Sequence, residues 1–305
     1  MMNLGVIGLS EGNGHPYSWS AIVNGDFNEK VMADCGYPTI PAYLGANRDT
    51  LGIEGAQVSH IWTQDAALSR HVAKASHIEN IVENMEDLIG SVDAVLLSRD
   101  DPENHKAMAK PFIDANVPIF IDKPLAFNRE DLNYFADQVG KGKFIMSSSA
   151  LRYSAGNQSM REHLPTIGKV KLAVAVGAKD LRKYAVHYLE GMIAFLGDPK
   201  VNSVRHISEP GKDVLYLELD GDILATIHIF KGIAGGGLNI YGDQGVLNVN
   251  HGGAYVCFRA QLVDAIRSFK AGRPRLDFSK TYNIVNALVG ARESLEQGGK
   301  VISLL

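Results

Sequence analysis

A lysine follows a short apolar run in the segment Asp122-Lys123-Pro124. The run, residues 118–121, has the composition of a buried strand, and ligands bind beyond the carboxyl ends of strands in open parallel sheets. The ring of Pro124 would set the turn that aims the lysine. An ammonium group there could hydrogen-bond a substrate oxygen and stabilise negative charge that develops on it. Taken alone, the same pattern also fits a solvated lysine after an edge turn.

A second group of polar residues shares one face of a predicted helix, Leu181–Leu196. Spacings of four and three residues bring Lys183, His187 and Glu190 onto that face. Imidazole titrates near neutral pH, so His187 is the natural proton acceptor of the group. The alternatives are a helix-face histidine at an interface for His187 and a structural or solvated acid for Glu190. Tyr184 borders the same face, where it could hydrogen-bond a substrate hydroxyl or pack against its neighbours.

A glycine-rich loop follows the first predicted strand, residues 4–9. The usual dinucleotide fingerprint is Gly-x-Gly-x-x-Gly, which lets backbone N–H groups and the helix N-terminus face the pyrophosphate. Gly8 takes its first position, whereas Ser10 takes the second and further glycines arrive late. A flexible surface turn is the alternative. The candidate cofactor-binding residues of this loop are Gly8, Ser10, Gly12, Asn13, Gly14 and His15.

The end of the second predicted strand, residues 58–62, is where an acidic residue would hold the adenosine ribose. Thr63 occupies this place and could donate to a ribose hydroxyl or to a phosphate. Asp65 more naturally caps the following helix, residues 66–76. Both Thr63 and Asp65 are candidate cofactor-binding residues. NAD and NADP therefore both stay open, with NAD favoured.

Strands and helices alternate through the first half of the chain, which predicts an α/β fold with a Rossmann-type, doubly wound parallel sheet. Residues 25–56 interrupt the alternation as an insertion of loop and short helix. Helices are predicted over residues 17–24, 103–115 and 129–139. The predicted strands are residues 4–9, 58–62, 81–83, 94–97, 118–121 and 144–148.

The second half of the chain carries strand patterns in succession, separated by turn signals such as Asp220-Gly221. This succession predicts an α+β domain with a large, mostly antiparallel open sheet. We predict domains over residues 1–123 and 124–305, with the chain returning to the first sheet up to about residue 150 as the alternative. The predicted helices are residues 181–196, 260–271 and 282–297, and the predicted strands are residues 170–176, 214–219, 224–230, 238–241, 246–249 and 255–258.

The composition excludes several classes of protein. The net charge of −4 offers no basic surface to nucleic acid or anionic membrane. No apolar run approaches the ~20 residues that span a bilayer, and the first residues lack the pattern of a signal peptide. Cys35 and Cys257 cannot form a disulfide framework and lack metal-ligand spacing. We therefore expect a cytoplasmic protein with reduced thiols, no metal, and no nucleic-acid or membrane partner.

Residues 92–126 resemble the Gfo/Idh/MocA oxidoreductases, the family of glucose–fructose oxidoreductase and inositol dehydrogenase. The family pattern there is a strand, a polar turn, a histidine that opens a helix, and a strand that ends in Glu-Lys-Pro. His105 fits the histidine, and Asp122-Lys123-Pro124 fits the end of the strand with a conservative first residue. Further similarity to the family's domain junction, sheet and C-terminal helix lies in residues 151–153, 167–170, 241–249 and 265–274.

The resemblance implies hydride transfer between a nicotinamide and a sugar-like or polyol carbon, together with proton removal from oxygen. It places Lys123 between nicotinamide and substrate, and it implies homodimers or homotetramers that form through the C-terminal sheet. The catalytic candidates are then Lys123, His187 and Lys183, and the substrate-binding candidates are Arg152, Tyr184 and Glu190. The resemblance adds cofactor-binding candidates in the polar turn, the helix start and the strand end, namely Ser98, Arg99, His105, Asp122 and Lys123.

One position on the helix Leu181–Leu196 departs from the family pattern. The family usually has Asp, then His four residues later, then Asp three residues later, whereas this chain has Lys183, His187 and Glu190. The lysine indicates either an anionic substrate, such as a sugar acid or nucleotide-sugar, or lost redox activity. Arg152, at the domain junction, could reach the substrate or form a structural ion pair.

The sequence therefore predicts an NAD(P)-dependent dehydrogenase or reductase that acts on the CH–OH groups of a sugar, polyol, sugar acid or nucleotide-sugar. Two alternatives stay open. An enzyme of the same fold could use tightly held NAD transiently, for elimination or glycoside cleavage. A nucleotide-sensing or scaffold protein could keep the fold without catalysis, and the incomplete glycine fingerprint and Lys183 favour that alternative.

Overall fold

Six parallel strands form the first sheet of the computed structural model, which describes residues 1–305. They are β1 (Met2–Gly8), β2 (Ala56–Thr63), β3 (Asn80–Ile81), β4 (Ala94–Leu97), β5 (Ile119–Ile121) and β6 (Ile145–Met146). The spatial order is β3-β2-β1-β4-β5-β6, the order of dinucleotide-binding sheets. Strands are added towards one edge from β1 to β3 and towards the other edge from β4 to β6. The predicted doubly wound sheet is confirmed.

Seven strands form the second sheet. They are β7 (Val170–Ala178), β8 (Val201–Glu209), β9 (Lys212–Leu219), β10 (Ile223–Phe230), β11 (Gly237–Gly242), β12 (Val246–Val249) and β13 (Ile302–Ser303). The order is β12-β11-β7-β10-β9-β8-β13, and every pair is antiparallel except β7 with β10. The predicted open and mostly antiparallel sheet is confirmed.

Ten α-helices accompany the two sheets. They are α1 (His15–Asn24), α2 (Glu29–Ala33), α3 (Thr39–Ala46), α4 (Ala66–Ser76), α5 (Pro102–Asp114), α6 (Arg129–Gly140), α7 (Ala155–Arg161), α8 (Leu181–Leu196), α9 (Ala254–Lys270) and α10 (Phe278–Glu296). Short 3₁₀ turns occupy Arg48–Thr50, Met85–Leu88, Ala150–Tyr153 and Leu164–Ile167. The predicted insertion between α1 and β2 thus holds two short helices and one 3₁₀ turn.

The chain divides into two compact units. The first unit, which carries the parallel sheet, comprises Met1–Leu125, Tyr134–Ser147 and Phe258–Phe278. The second unit, which carries the mixed sheet, comprises Ala126–Asn133, Ser148–Cys257 and Ser279–Leu305. Compactness alone does not define a domain, so the predicted division into residues 1–123 and 124–305 stays a prediction.

In the second half of the chain, one predicted strand is wrong and strand β8 was not predicted. The predicted strand 255–258 is the first turn of α9, where buried Tyr255 and Cys257 flank exposed Val256 and so imitate the alternation of a strand. Strand β8 was not predicted, because the sequence of Val201–Glu209 is largely polar outside its buried positions. Pairing with β9 and β13 supplies the stability that local sequence does not.

Helix α8 is fixed by its caps and by one apolar face. The side chain of Asp180 accepts a hydrogen bond from the Lys183 N–H, and Gly197 ends the helix with φ of 92°. Its fully buried face includes Ala185 and Leu189, which belong to the same core cluster as the inward residues of β9 and β10. The helix is therefore anchored on one side, and this anchorage positions the polar residues along it.

The junction between β1 and α1 is tightly packed. A Cβ atom added to Gly8, the last residue of β1, would lie 2.2 Å from Cγ of Pro16 in the first turn of α1. A Cβ added to Gly14 would lie 2.4 Å from Ile40 and 2.7 Å from Tyr37 in the insertion. Both glycines are therefore required by packing within the protein, so a dinucleotide is not their only explanation.

We expect Gly8→Ala to lower the free energy of unfolding by about 1–3 kcal/mol, because the added methyl group must displace the Pro16 ring. Gly45→Ala in α3 is the matched control, since a Cβ there meets no atom within 4 Å. The control should be neutral or stabilising by up to about 1 kcal/mol, the helix preference of alanine over glycine. Urea unfolding of both variants measures the difference, and equal stabilities would contradict the packing argument.

Candidate active site

The loop between β1 and α1 exposes only part of its backbone. Gly12 has φ of 77°, and Glu11 and Gly12 are exposed whereas Asn13 is buried. The first turn of α1 offers few N–H groups, because the Asn13 side chain accepts from the His15 N–H at 2.8 Å and Pro16 has none. The backbone that a ligand can reach in this loop therefore lies at Glu11 and Gly12.

A fully buried carboxylate, Asp122, joins this loop to the end of β5. Its Oδ2 accepts from the His15 Nδ1 at 2.6 Å and from the Asn13 Nδ2 at 2.8 Å. Its Oδ1 accepts from the backbone N–H of Lys123 at 2.7 Å. The His15 ring also stacks on Trp19 with centroids 4.6 Å apart. Three predicted cofactor-binding residues, His15, Asn13 and Asp122, are therefore brought into one network.

The charge of Asp122 is stabilised by its surroundings. Burial alone would raise the pKa of its carboxyl group, but the charges of His15 and Lys123 and the hydrogen bonds hold that pKa well below its usual value. The ionised carboxylate accepts the proton on the His15 Nδ1, so Nε2 is the ring nitrogen not bonded to Asp122. The His15 side chain stays 15% exposed, which leaves the imidazole within reach of a ligand.

Lys123 is buried and pairs with a carboxylate that the sequence did not suggest. Its Nζ lies 3.7 Å from Oδ2 of Asp100, in the segment after β4, and both side chains are 7% exposed. Oδ1 of Asp100 accepts from the Ser10 hydroxyl at 2.7 Å, and the Asp100 N–H donates to the same Ser10 oxygen at 3.0 Å. The edge made by β1, β4 and β5 therefore gathers Ser10, Asp100 and Lys123.

The signal for Asp100 was its place directly after a buried strand, next to Ser98 and Arg99. Ser98 is fully buried, and its N–H donates to the Ile7 carbonyl at 2.7 Å. Arg99 donates to the Leu9 carbonyl at 2.9 Å and pairs with Asp101. These bonds use Ser98 and Arg99 to hold the strand ends together.

The remaining cofactor-binding candidates make mainly internal contacts. His105 is fully buried, with its ring nitrogens 3.0 and 2.8 Å from the carbonyl oxygens of Leu125 and Arg99. The Thr63 hydroxyl donates to the Asp65 carbonyl at 2.7 Å. Asp65 is exposed and caps α4 through one carboxylate oxygen, as its sequence position indicated.

The edge of the first sheet fits a dinucleotide with one departure from the usual fingerprint. A glycine at positive φ, a hydroxyl at Ser10, an exposed carboxylate at the end of β2 and a partly exposed imidazole all lie on the carboxyl-edge loops. The departure is the first turn of α1, which is capped from within. A pyrophosphate there would depend on the loop tip and the His15 ring more than on helix N–H groups.

On the second unit, His187 is oriented by a serine. The Ser149 hydroxyl lies 2.7 Å from the His187 Nδ1, and the Ser149 N–H donates to Oε2 of Glu190 at 2.6 Å. The Ser149 hydroxyl thus contacts the His187 imidazole. At the position where the family usually has aspartate, this chain has Lys183. Ser149 was not among the predicted site residues, although its place at the end of the predicted strand 144–148 was a signal.

Arg152 and Glu190 form a buried ion pair. Nε of Arg152 donates to Glu190 at 2.7 Å and Nη1 donates to Asp198 at 2.8 Å, while Nη2 has no hydrogen-bond partner. Burial alone would lower the pKa of Arg152, but the two carboxylates raise it. Of the two roles left open for Arg152, the structural ion pair describes these contacts. Substrate binding by Arg152 and Glu190 stays a prediction.

The start of α8 carries several cations beside an aromatic ring. Nζ of Lys179 contacts the Tyr184 hydroxyl and lies 4.4 Å from the centre of the Tyr184 ring. The Tyr184 and His187 rings are tilted, with centroids 5.8 Å apart. Lys183 and His187 are four residues apart on the helix, so the predicted face exists within the second unit. The convergence of His187 with Lys123, which belongs to the first unit, stays a prediction.

Neither a metal-binding cluster nor a membrane-spanning helix is found in the structure. No group of three or more His, Cys, Asp or Glu side chains has a geometry that could hold a metal ion. Among the helices, none combines the length and the apolar character that crossing a membrane requires.

Solved structures of other dehydrogenases share this architecture. A probable dehydrogenase from Thermotoga maritima superposes with a TM-score of 0.75 at 16% identity, covering 99% of both chains. The scyllo-inositol dehydrogenase of Lactobacillus casei, solved with NAD(H) and scyllo-inositol, gives a TM-score of 0.76 at 11% identity and covers 99% of both chains. At such identities these similarities establish the fold alone.

Part of the chain is similar in sequence to known proteins. Inositol 2-dehydrogenase 1 of Saccharopolyspora erythraea is 33% identical to this chain over 107 residues, which cover 34% of this chain and 32% of that relative. The match thus spans about a third of the relative's length. Residues 30–147 match the Gfo/Idh/MocA family, described as an oxidoreductase family with an NAD-binding Rossmann fold. Over this segment the resemblance seen in the sequence to the Gfo/Idh/MocA oxidoreductases is confirmed.

Proposed function

We propose that this protein is an NAD(P)-dependent dehydrogenase or reductase that acts on a CH–OH group of a carbohydrate-type substrate. The observation that carries the proposal is the buried Lys123 ammonium, which sits at the carboxyl edge of β5 beside Asp100. Removing a lysine side chain from water is costly, so a buried lysine at a ligand-binding edge is a functional candidate. The match of residues 30–147 to an oxidoreductase family supports the same conclusion.

The chain's own residues would bind the substrate oxygen and accept its proton. Lys123 would donate a hydrogen bond to the reacting oxygen and stabilise negative charge that develops there. His187, oriented by Ser149, would accept the proton that leaves the hydroxyl group. A bound nicotinamide supplies hydride exchange with the substrate carbon.

Residues of the first sheet's edge would hold the dinucleotide. The backbone of Glu11 and Gly12 and the His15 ring are the groups available to the pyrophosphate, whereas the buried Ser10 hydroxyl is already bonded to Asp100. Asp65 supports NAD as the cofactor, because its exposed carboxylate at the end of β2 would accept from ribose hydroxyls and repel a 2′-phosphate. The Thr63 hydroxyl is already hydrogen-bonded to the Asp65 carbonyl.

The substrate class is proposed as a polyol or sugar, with an anionic group as a further option. The Lactobacillus casei enzyme with the same fold was solved with scyllo-inositol, which supports a polyol. Lys183 in place of the family's aspartate, with Lys179 near it in sequence, favours a sugar acid or nucleotide-sugar. A panel of neutral and acidic carbohydrates separates these options.

A protein that binds dinucleotide without catalysis is the competing proposal. The internal cap on the first turn of α1 favours it, because the usual pyrophosphate donors are missing there. An enzyme that uses NAD transiently is the other alternative, and it would turn substrate over without accumulating NADH.

The outer face of the second sheet supports self-association, as the family resemblance implied. Alternate residues of β9 and β10 enter the core, whereas their neighbours Tyr216 and Leu224 are 40% and 45% exposed. Tyr241 and Val246 lie in the same cross-strand row as Leu224, and Glu218 is the charged residue of that row. Large exposed apolar patches mark interaction sites, so we propose that a second copy of this chain covers this face.

We expect Lys123→Met to lower turnover on the carbohydrate panel about 10²-fold or more, since the variant cannot stabilise charge on the reacting oxygen. Dinucleotide should still bind, as measured by isothermal titration calorimetry. Lys141→Met is the control, because Lys141 forms an exposed pair with Asp137 on α6. Undiminished turnover in Lys123→Met would remove this residue from the mechanism, and a wild type that binds dinucleotide without any turnover would favour the non-catalytic alternative.

We expect His15→Gln to weaken dinucleotide binding about tenfold, because one charge-assisted hydrogen bond is worth roughly 1.5–3 kcal/mol. Calorimetric titration with NADH and NADPH measures the loss and the cofactor preference together. His77→Gln is the control, since the His77 side chain is 50% exposed at the end of α4. An unchanged affinity in His15→Gln would show that the imidazole does not contact the dinucleotide.

We expect wild-type protein to be a dimer or tetramer and Leu224→Arg to shift it towards monomer, because a charge would be buried in an apolar interface. Sedimentation velocity measures the oligomeric state. Val256→Arg on α9 is the control, since Val256 is 46% exposed but lies outside the sheet. A monomeric wild type, or an unaltered Leu224→Arg oligomer, would contradict the interface.

A further inference from the structure

Contacts with Ser10 hold the Asp100 carboxylate in place independently of Lys123. The Ser10 hydroxyl donates to its Oδ1 at 2.7 Å, and the Asp100 N–H donates back to Ser10 Oγ at 3.0 Å. This two-way contact joins the loop after β1 to the end of β4 and fixes the plane of the carboxylate. Oδ2 is the oxygen that faces the Lys123 ammonium, at 3.7 Å.

The ammonium depends on this carboxylate for its position. Lysine has four rotatable side-chain bonds and a compact charge, so packing alone does not fix its end. Lys123 is 6% exposed, and water cannot provide the full hydration that an exposed ammonium has. Of the acidic groups on this edge, Asp122 directs its oxygens to His15, Asn13 and the Lys123 backbone N–H. Asp100 is the acid whose oxygen is directed at the Lys123 side chain.

The resemblance to the family did not point to an acid for the Lys123 side chain. The resemblance places an aspartate on the helix that carries His187, and this chain has Lys183 there. The acid that pairs with Lys123 comes instead from the same sheet edge, two residues after Ser98. One cation has therefore replaced an acid on α8, while an acid beside β4 accompanies the lysine.

We propose that Asp100 is the positioning residue of Lys123: its carboxylate aims the ammonium group along the carboxyl edge of the first sheet. The inference rests on the proposed role of Lys123 in the reaction. The ammonium group acts only as a hydrogen-bond donor to the substrate oxygen. Ser10 acts one step further away, because it orients the carboxylate.

The first test measures the Lys123 amine itself and needs no substrate. Reductive methylation with formaldehyde labels uncharged amines, and peptide mass spectrometry gives the labelling rate of Lys123 relative to Lys141. We expect Asp100→Asn to raise that ratio about tenfold, because the flexible lysine side chain is then no longer held in its buried position by an opposite charge and the reagent can reach it. Ser10→Ala keeps both charges and should raise it less. Asp114→Asn, which removes the acid from an exposed pair with Lys110, should leave the ratio unchanged.

The second test measures kinetics on a substrate from the carbohydrate panel. We expect Asp100→Asn to lower kcat about 10–100-fold with an unchanged dinucleotide Kd, and Asp100→Glu to restore part of the rate. Unchanged labelling in a folded Asp100→Asn protein overturns the proposal. Raised labelling with an unchanged kcat also overturns it, since Asp100 would then be structural. If wild type turns over no substrate, the proposed function fails, and the labelling ratio alone still decides whether Asp100 controls the amine.

Discussion

The buried carboxylate of Asp122 is the constraint on which the first sheet's edge depends. It accepts hydrogen bonds from His15, Asn13 and the Lys123 backbone, and these donors come from two loops far apart in the sequence. A fully buried charge is tolerated only when its hydrogen bonds are complete and opposite charge lies close by. The loop after β1 and the end of β5 are therefore held in one arrangement, and Lys123 begins from a fixed backbone.

Two acids at this edge contact different parts of Lys123. Asp122 fixes the backbone from which Lys123 extends and holds the His15 ring, whereas Asp100 meets the end of the lysine side chain. The second unit shows the same division, with Ser149 contacting His187 and Glu190 committed to Arg152. In both units the groups closest to the proposed chemistry are supported by buried polar partners, which is the arrangement that preorganised sites require.

The sequence predicted the elements whose signals are local. Helix α8 and strand β4 have the predicted bounds, because an apolar face, a capping aspartate and a final glycine define the helix and a continuous apolar run defines the strand. The six parallel strands followed from the alternation of strand and helix. Strand β8 was missed, and the first turn of α9 was predicted as a strand, because pairing and burial outweighed local preference there. Lys123, His15 and Asp122 were named from position or resemblance, while Asp100 and Ser149 were missed, since a residue's partner across the sheet cannot be read from spacing alone.

The stacking of His15 on Trp19 has an optical consequence. Trp19 is fully buried, and it is one of only two tryptophans in the chain. An imidazole in face-to-face contact with an indole alters the indole's emission, and the degree depends on the charge of the imidazole. A ligand that moved the His15 ring would therefore change the emission of Trp19, so the native protein carries its own fluorescent reporter beside the loop after β1.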